Sequence, residues 1–138
     1  MAIDYGTRRV GIAVTDPDQM IATPLTTINT AALFAFLKTY MQHEVVDTLV
    51  VGLPKRLHNV PSPMAAIVQK CIKALQRTFP DKQVVAQDER YTSKIAADSL
   101  IAGGFKKKDR YNKANLDKLS ATIMLQSFLA THRTETRS

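Results

Sequence analysis

Three carboxylates stand where a folded chain could gather them for chemistry. Asp4 closes an apolar run at the start of the chain, Glu89 follows the apolar stretch Val84-Val-Ala86, and Asp117 opens the last apolar periodic segment. The patterns predict strand ends for the first two and the first turn of a helix for the third. Ligands of open α/β sheets bind outside the carboxyl ends of strands. Asp4 and Glu89 therefore converge at one sheet edge if their strands share a sheet. Ser120 and Ala121, one turn beyond Asp117, are small enough for that turn to pack close to a sheet. Clustered carboxylates without His or Cys suit hard, oxygen-preferring cations such as Mg²⁺ or Mn²⁺. Two such ions, roughly 3.5–4 Å apart, activate water and neutralise the leaving oxygen in phosphodiester cleavage. Without metal the acids would repel one another, and at least one pKa would rise. Taken singly, each acid has a simpler use. Asp4 suits a turn, Glu89 a salt bridge with Arg90 or a nearby lysine, and Asp117 a helix N-terminus.

The elements that must position them follow from hydrophobic periodicity. Ala2 to Thr15 predicts a β-hairpin about a Gly-containing turn. Gly6 suits a position of positive φ there, and Gly11 lets a backbone or ligand approach the second strand closely. Met20–Ile28 predicts a third strand, placed at an edge by Pro24. Asn29 or Thr30 caps a helix to about His43 with Leu33, Phe34, Phe36, Leu37, Tyr40 and Met41 on its apolar face. Val45–Leu53 is a nearly continuous apolar run, as in a parallel strand buried on both faces.

After the loop Lys55–Pro63, Ser62 caps a helix with Pro63 at its first position. Met64, Ile67, Val68, Cys71, Ile72, Leu75 and Phe79 make its stripe, and Pro80 ends it. Gln83–Gln87 is a short strand leading into Asp88-Glu89-Arg90. Thr92 or Ser93 caps a third helix that stops at Gly103-Gly104. The last helix runs from about Asn115 to Thr131, with a frayed, disordered tail over 132–138. The expected fold is α/β: a mixed five-stranded sheet, three strands antiparallel at the start and then two parallel, with helices on both faces.

The chain of 138 residues suits one domain spanning 1–138 with a real core. It shows no transmembrane run and no cleavable leader, so a cytosolic protein with no membrane partner is expected. Its single cysteine, Cys71, agrees with a reducing compartment and reads as an inert core thiol. One cysteine and three scattered histidines argue against a zinc-type site. The net charge of +7 points to a polyanion as partner.

Four ordered motifs carry a resemblance over almost the whole chain. Asp4-Tyr-Gly-Thr-Arg-Arg-Val-Gly-Ile-Ala13, Val51-Gly-Leu-Pro54, Asp88-Glu-Arg-Tyr-Thr-Ser93 and Leu116-Asp-Lys-Leu-Ser-Ala121 together resemble the YqgF family. Its members are described as Holliday-junction-resolvase-like proteins and as nucleases that trim the precursor of small-subunit ribosomal RNA. The resemblance implies a ribonuclease-H-like fold and metal-dependent phosphodiester hydrolysis, with the family's acidic positions at Asp4, Glu89 and Asp117. It also implies precursor rRNA as substrate and ribosomal particles as the place of action. Two features depart from the pattern. Only three residues precede Asp4, so the first strand is short and the native start, at Met1 or upstream, stays open. Lys55-Arg-Leu-His58 also lacks the glycine-containing turn often found there.

The basic residues are unevenly spread. Lys106, Lys107, Lys108, Arg110 and Lys113, interleaved with Phe105 and Tyr111, precede the helix of Asp117. A flexible basic loop beside a metal site grips phosphates while an aromatic ring stacks on a base, although a charge run is more often a solvated surface. Arg8, Arg9, Lys55 and Arg56 follow strand ends at the same rim and extend the surface. Such phosphate contacts do not separate RNA from branched DNA. The expected function is therefore a Mg²⁺- or Mn²⁺-dependent nuclease. A branched-DNA nuclease of the same kind and a non-catalytic nucleic-acid-binding protein are the alternatives. Asp-Tyr-Gly-Thr also looks like the first phosphate loop of actin- and sugar-kinase-like ATPases, but the chain is too short for their duplicated domain. Monomer and weak dimer both remain open.

Overall fold

A computed structural model describes residues 1–15, 21–53, 63–88 and 120–130. Its centre is a five-stranded sheet formed by β1 (Ala2–Tyr5), β2 (Arg9–Thr15), β3 (Ala22–Asn29), β4 (Thr48–Leu53) and β5 (Gln83–Asp88). The strand order is β3-β2-β1-β4-β5. β1 pairs antiparallel with β2, and β2 with β3, whereas β4 runs parallel to both β1 and β5. The antiparallel start and parallel finish match the expected mixed sheet.

Pro24 lies on the edge strand, opposite Ala13, at a register shift between Ile12 and Ala13. An edge tolerates the missing amide donor, and the shift leaves Leu25 out of the ladder.

Side chains alternate across the strands, so the sheet has two different faces. Ile3, Val10, Ile12, Leu49 and Val51 face one way, beneath α1 (Leu33–His43) and α2 (Pro63–Thr78). Leu33 and Leu37 of α1 and Val68, Cys71 and Leu75 of α2 complete this larger core. Ala2, Ala13, Ala22 and Val50 face the other way. The helix over residues 120–130 (α3) covers them with Ala121, Met124 and Leu125, and Phe128 packs alongside. Helices therefore lie on both faces. Val50 and Val51 are both buried, so β4 is covered on its two sides as its apolar run requires.

Several local expectations are corrected. Asn29 makes no side-chain cap; a single 3-10 turn, Thr30–Ala32, precedes α1 instead. The Thr30 hydroxyl is turned away, donating to the Gly6 carbonyl at 2.7 Å. β4 begins at Thr48 rather than Val45, which is 90% exposed. Its neighbour β5 begins at Gln83, opposite Thr48, so no ladder exists to hold Val45. Ile67 is also exposed, because the buried stripe of α2 narrows to Val68, Cys71 and Leu75. β5 extends one residue past Gln87, to Asp88. The expected third helix, the tail over 132–138 and the early turns of the last helix lie outside the described residues.

Candidate active site

Asp4 is the third residue of β1, the central strand, and is half-buried. Alternation puts it on the face of Ala2, under α3, because Ile3 and Tyr5 belong to the opposite face. Its register partner on β2 is Gly11. On the other side Ile3 pairs with Val51, so the residue following in β4, level with Asp4, is Gly52. Both glycines are buried. The two residues level with Asp4 on the neighbouring strands are therefore both glycines, which add no side chain at that level of the sheet.

The same row continues into β5, where Gly52 pairs with Gln87 and Leu53 with Asp88. Glu89 is the next residue in sequence and lies outside the described residues. β1 and β5 are two strand spacings apart, or roughly 10 Å. Side chains reaching inward from both strands can meet over such a gap when the position between them is glycine.

The direction of α3 bears on the third acid. Leu125, Phe128 and Leu129 line a cavity of about 420 Å³ together with Met1 and Thr48, at the starts of β1 and β4, and Val14, near the end of β2. The Gln126 side chain accepts from the Ala22 amide at 3.1 Å near that same end. The helix thus runs against β1, and its first turn points toward the Asp4 end of the sheet. Asp117 precedes Ala121 by four residues in sequence and lies outside the described residues. Lys55, Arg56, Lys106, Lys107, Lys108, Arg110 and Lys113 do so as well. Among the described residues, which hold only Asp4 of the three acids, no group of three potential ligands forms.

Arg8 and Arg9 are exposed where the hairpin turns, beyond the strand of Asp4. The Gly6 amide donates to the Arg9 carbonyl at 3.0 Å and closes this turn. A Cβ on Gly6 would lie 2.6 Å from that carbonyl oxygen. Gly6 is thus needed for close approach and not, as expected, for a positive φ. Two residues important to this geometry carried little local signal. Gly52 read only as the end of an apolar run, and Thr30 read as a helix cap. The partner of Thr30 is 24 residues away in sequence, beyond the reach of any local pattern.

The sequence model of the family described as RuvX, Holliday junction resolvase, matches residues 1–131. The chain belongs to this family. RuvX members are nucleases by that description, so the chain belongs to a family that acts on nucleic acid. A protein of Amoebophilus asiaticus named "Putative pre-16S rRNA nuclease" is 56% identical over 133 residues, 96% of this chain and 94% of the relative. Proteins of the same name from Christiangramia forsetii and Flavobacterium johnsoniae are 46% and 44% identical. These alignments cover 94% and 96% of this chain, and 96% of each relative. Among the described residues, no helix is long and apolar enough to cross a membrane.

Proposed function

We propose that this protein is a divalent-cation-dependent nuclease that trims the precursor of 16S ribosomal RNA, acting in the cytoplasm on ribosomal precursors. The observation that carries the reading is the seat of Asp4. It is a carboxylate on the central strand, flanked by Gly11 and Gly52, with β5 leading directly to Glu89 and α3 starting from the same end of the sheet. The names of the relatives supply the substrate.

An all-oxygen donor set fits Mg²⁺ or Mn²⁺, and Gly11 and Gly52 add no side chain at the level of Asp4. Asp4, Glu89 and Asp117 would hold them. A bound pair would supply charge neutralisation at the scissile phosphate and an activated water. The chain's own part is recognition and orientation. Arg8 and Arg9 contact phosphate oxygens at the hairpin, and Lys55, Arg56, Lys106, Lys107, Lys108, Arg110 and Lys113 extend that surface. Such contacts set affinity and register on the nucleic acid with little sequence preference. No side-chain nucleophile is required, because water is the attacking group in this chemistry.

The family description favours a second substrate, a four-way DNA junction. The decisive test measures Mn²⁺-supported cleavage of precursor 16S RNA and of a four-way junction side by side, for the wild type, Asp4→Asn and Glu89→Gln. Both variants should lose cleavage of the RNA while binding it as tightly as before. Unchanged turnover in both would end the metal-dependent reading. Faster cutting of the junction would transfer it to branched DNA.

A further inference from the structure

Thr30 stands at the end of the edge strand, two strands away from Asp4, yet it makes two contacts with the turn that follows Asp4. Its hydroxyl donates to the Gly6 carbonyl at 2.7 Å, and its amide donates to the Arg8 carbonyl at 3.1 Å. With the Gly6 amide bonded to the Arg9 carbonyl at 3.0 Å, the backbone of the turn is fixed at Gly6, Arg8 and Arg9. The pairing of Arg9 with Asn29 brings Thr30 into reach.

From this we infer that Thr30 is a positioning residue for nucleic-acid binding, holding the Gly6–Arg9 turn so that Arg8 presents its guanidinium beside the Asp4 end of the sheet. The inference rests on the nuclease reading above and deepens it. Thr30 touches neither substrate nor reacting atoms; it acts through the turn. Arg8 is exposed on a long flexible side chain, so the backbone that bears it sets the point from which that side chain reaches out. Without the hydroxyl, the Thr30 amide still holds the Arg8 carbonyl, but the Gly6 end of the turn keeps only its own closing bond and samples more orientations. Binding would then have to select the competent one, at a cost in affinity.

The obvious alternative is that Thr30 merely ends β3 and starts α1. The two roles differ in what they move. Loss of a structural contact lowers stability and leaves the affinity of the folded molecule alone. Loss of positioning raises KM of the folded molecule with kcat close to wild type, in addition to the stability that the lost hydrogen bond costs.

The experiment uses the full chain and the variants Thr30→Val, Thr30→Ser, Arg8→Ala and the Arg8→Ala/Thr30→Val pair. Each is assayed for cleavage of precursor 16S RNA and, in Ca²⁺ without turnover, for affinity to the same RNA. Thr30→Val should raise KM and the dissociation constant about fivefold, the size of one neutral hydrogen bond, with kcat within about twofold. Thr30→Ser, which keeps the donor, should restore the wild-type values. The double variant should bind no worse than Arg8→Ala, because Thr30 works through that side chain. Additive losses in the double variant overturn the inference, as does a Thr30→Val protein that binds like wild type. A Thr30→Ser protein as weak as Thr30→Val overturns it too. If the wild type cuts neither RNA nor junction, the nuclease reading fails by itself. The affinity ratios still decide the role of Thr30.

Discussion

The two faces of the sheet are built from different residues for different ends. Beneath α1 and α2 the strands offer Ile3, Val10, Ile12, Leu49 and Val51, all fully buried. Beneath α3 they offer Ala2, Ala13 and Ala22, with Val50 the largest, and the glycines beside Asp4 continue this thinning. Large aliphatic side chains remove much apolar area from water, and the stability of the domain is concentrated on that face. Small ones let a helix approach closely and leave space at one end for polar atoms. On the proposed reading the chemistry depends on the thin face, and the folded state depends mainly on the thick one. That division can be broken from either side.

The largest effect on stability should come from the thick face. Leu75 is fully buried in α2, packed among the residues beneath both helices. Leu75→Ala should cost about 2–5 kcal/mol, the sum of lost transfer and a residual cavity. Chemical denaturation reads the loss directly. Activity per folded molecule at low temperature should stay within about twofold of wild type, since a core truncation of this kind acts on the folded population. A specific loss of turnover with the fold intact would show that the faces are coupled.

A side chain added to the thin face should do the opposite. Gly52→Val puts two methyl groups at the level of Asp4, on a buried position of β4. Overpacking of this kind costs about 1–3 kcal/mol, less than the truncation on the thick face. Cleavage should nevertheless fall to background, because the branched side chain takes the space beside the carboxylate. Denaturation and cleavage measured on one preparation separate the two effects. Full activity in Gly52→Val would mean that the glycine level with Asp4 has no part in the site.

How much of this division could be read from the chain alone follows the same line. The thick face was legible because its residues repeat at helical or strand spacing: Leu33 and Leu37 in α1, Val68, Cys71 and Leu75 in α2, and the run Leu49-Val-Val51 in β4. Periodicity reports burial, and these positions are buried. It overshot where a residue was apolar but had no partner element, as at Val45 and Ile67, both exposed. Pro24 placed β3 at the edge because a missing amide is a local fact with a topological consequence. The thin face was less legible. Alanine and glycine carry weak pattern signals, and the role of Gly52 depends on the register between β1 and β4, which no local stretch encodes. The local pattern offers Asn29 or Thr30 as a cap for the following helix, because capping is a common use of either residue there. The partner of the Thr30 hydroxyl instead lies across the hairpin. Asp4 itself was legible as a strand-end acid. Its convergence with Glu89 and Asp117 was an inference from three sequence positions, of which the described residues contain the first.

The smallest expected effect sharpens the comparison by asking how dry the thick face is. Cys71 is 5% exposed on α2, and burial pushes its thiol from about 9 up to about 11. Tyr5, on the same face, is shifted upward as well, by burial first and by Cys71 second. A thiol whose folded pKa is raised disfavours its thiolate in the native state. Its contribution is therefore intact below pH 9, and stability is lost as pH rises from about 9 toward about 11, because the unfolded chain ionises first. At pH 10 the loss from this group is about 1 kcal/mol. Lysines and tyrosines titrate over the same range, so the quantity to measure is the difference between wild type and Cys71→Ala across the alkaline limb. The variant will be less stable at neutral pH through its lost volume, and that deficit should shrink by about 1 kcal/mol between pH 8 and pH 10. A constant deficit would mean that water reaches Cys71 in the native state. The contrast between a dry, stabilising face and a thin, working one would then lose its physical basis.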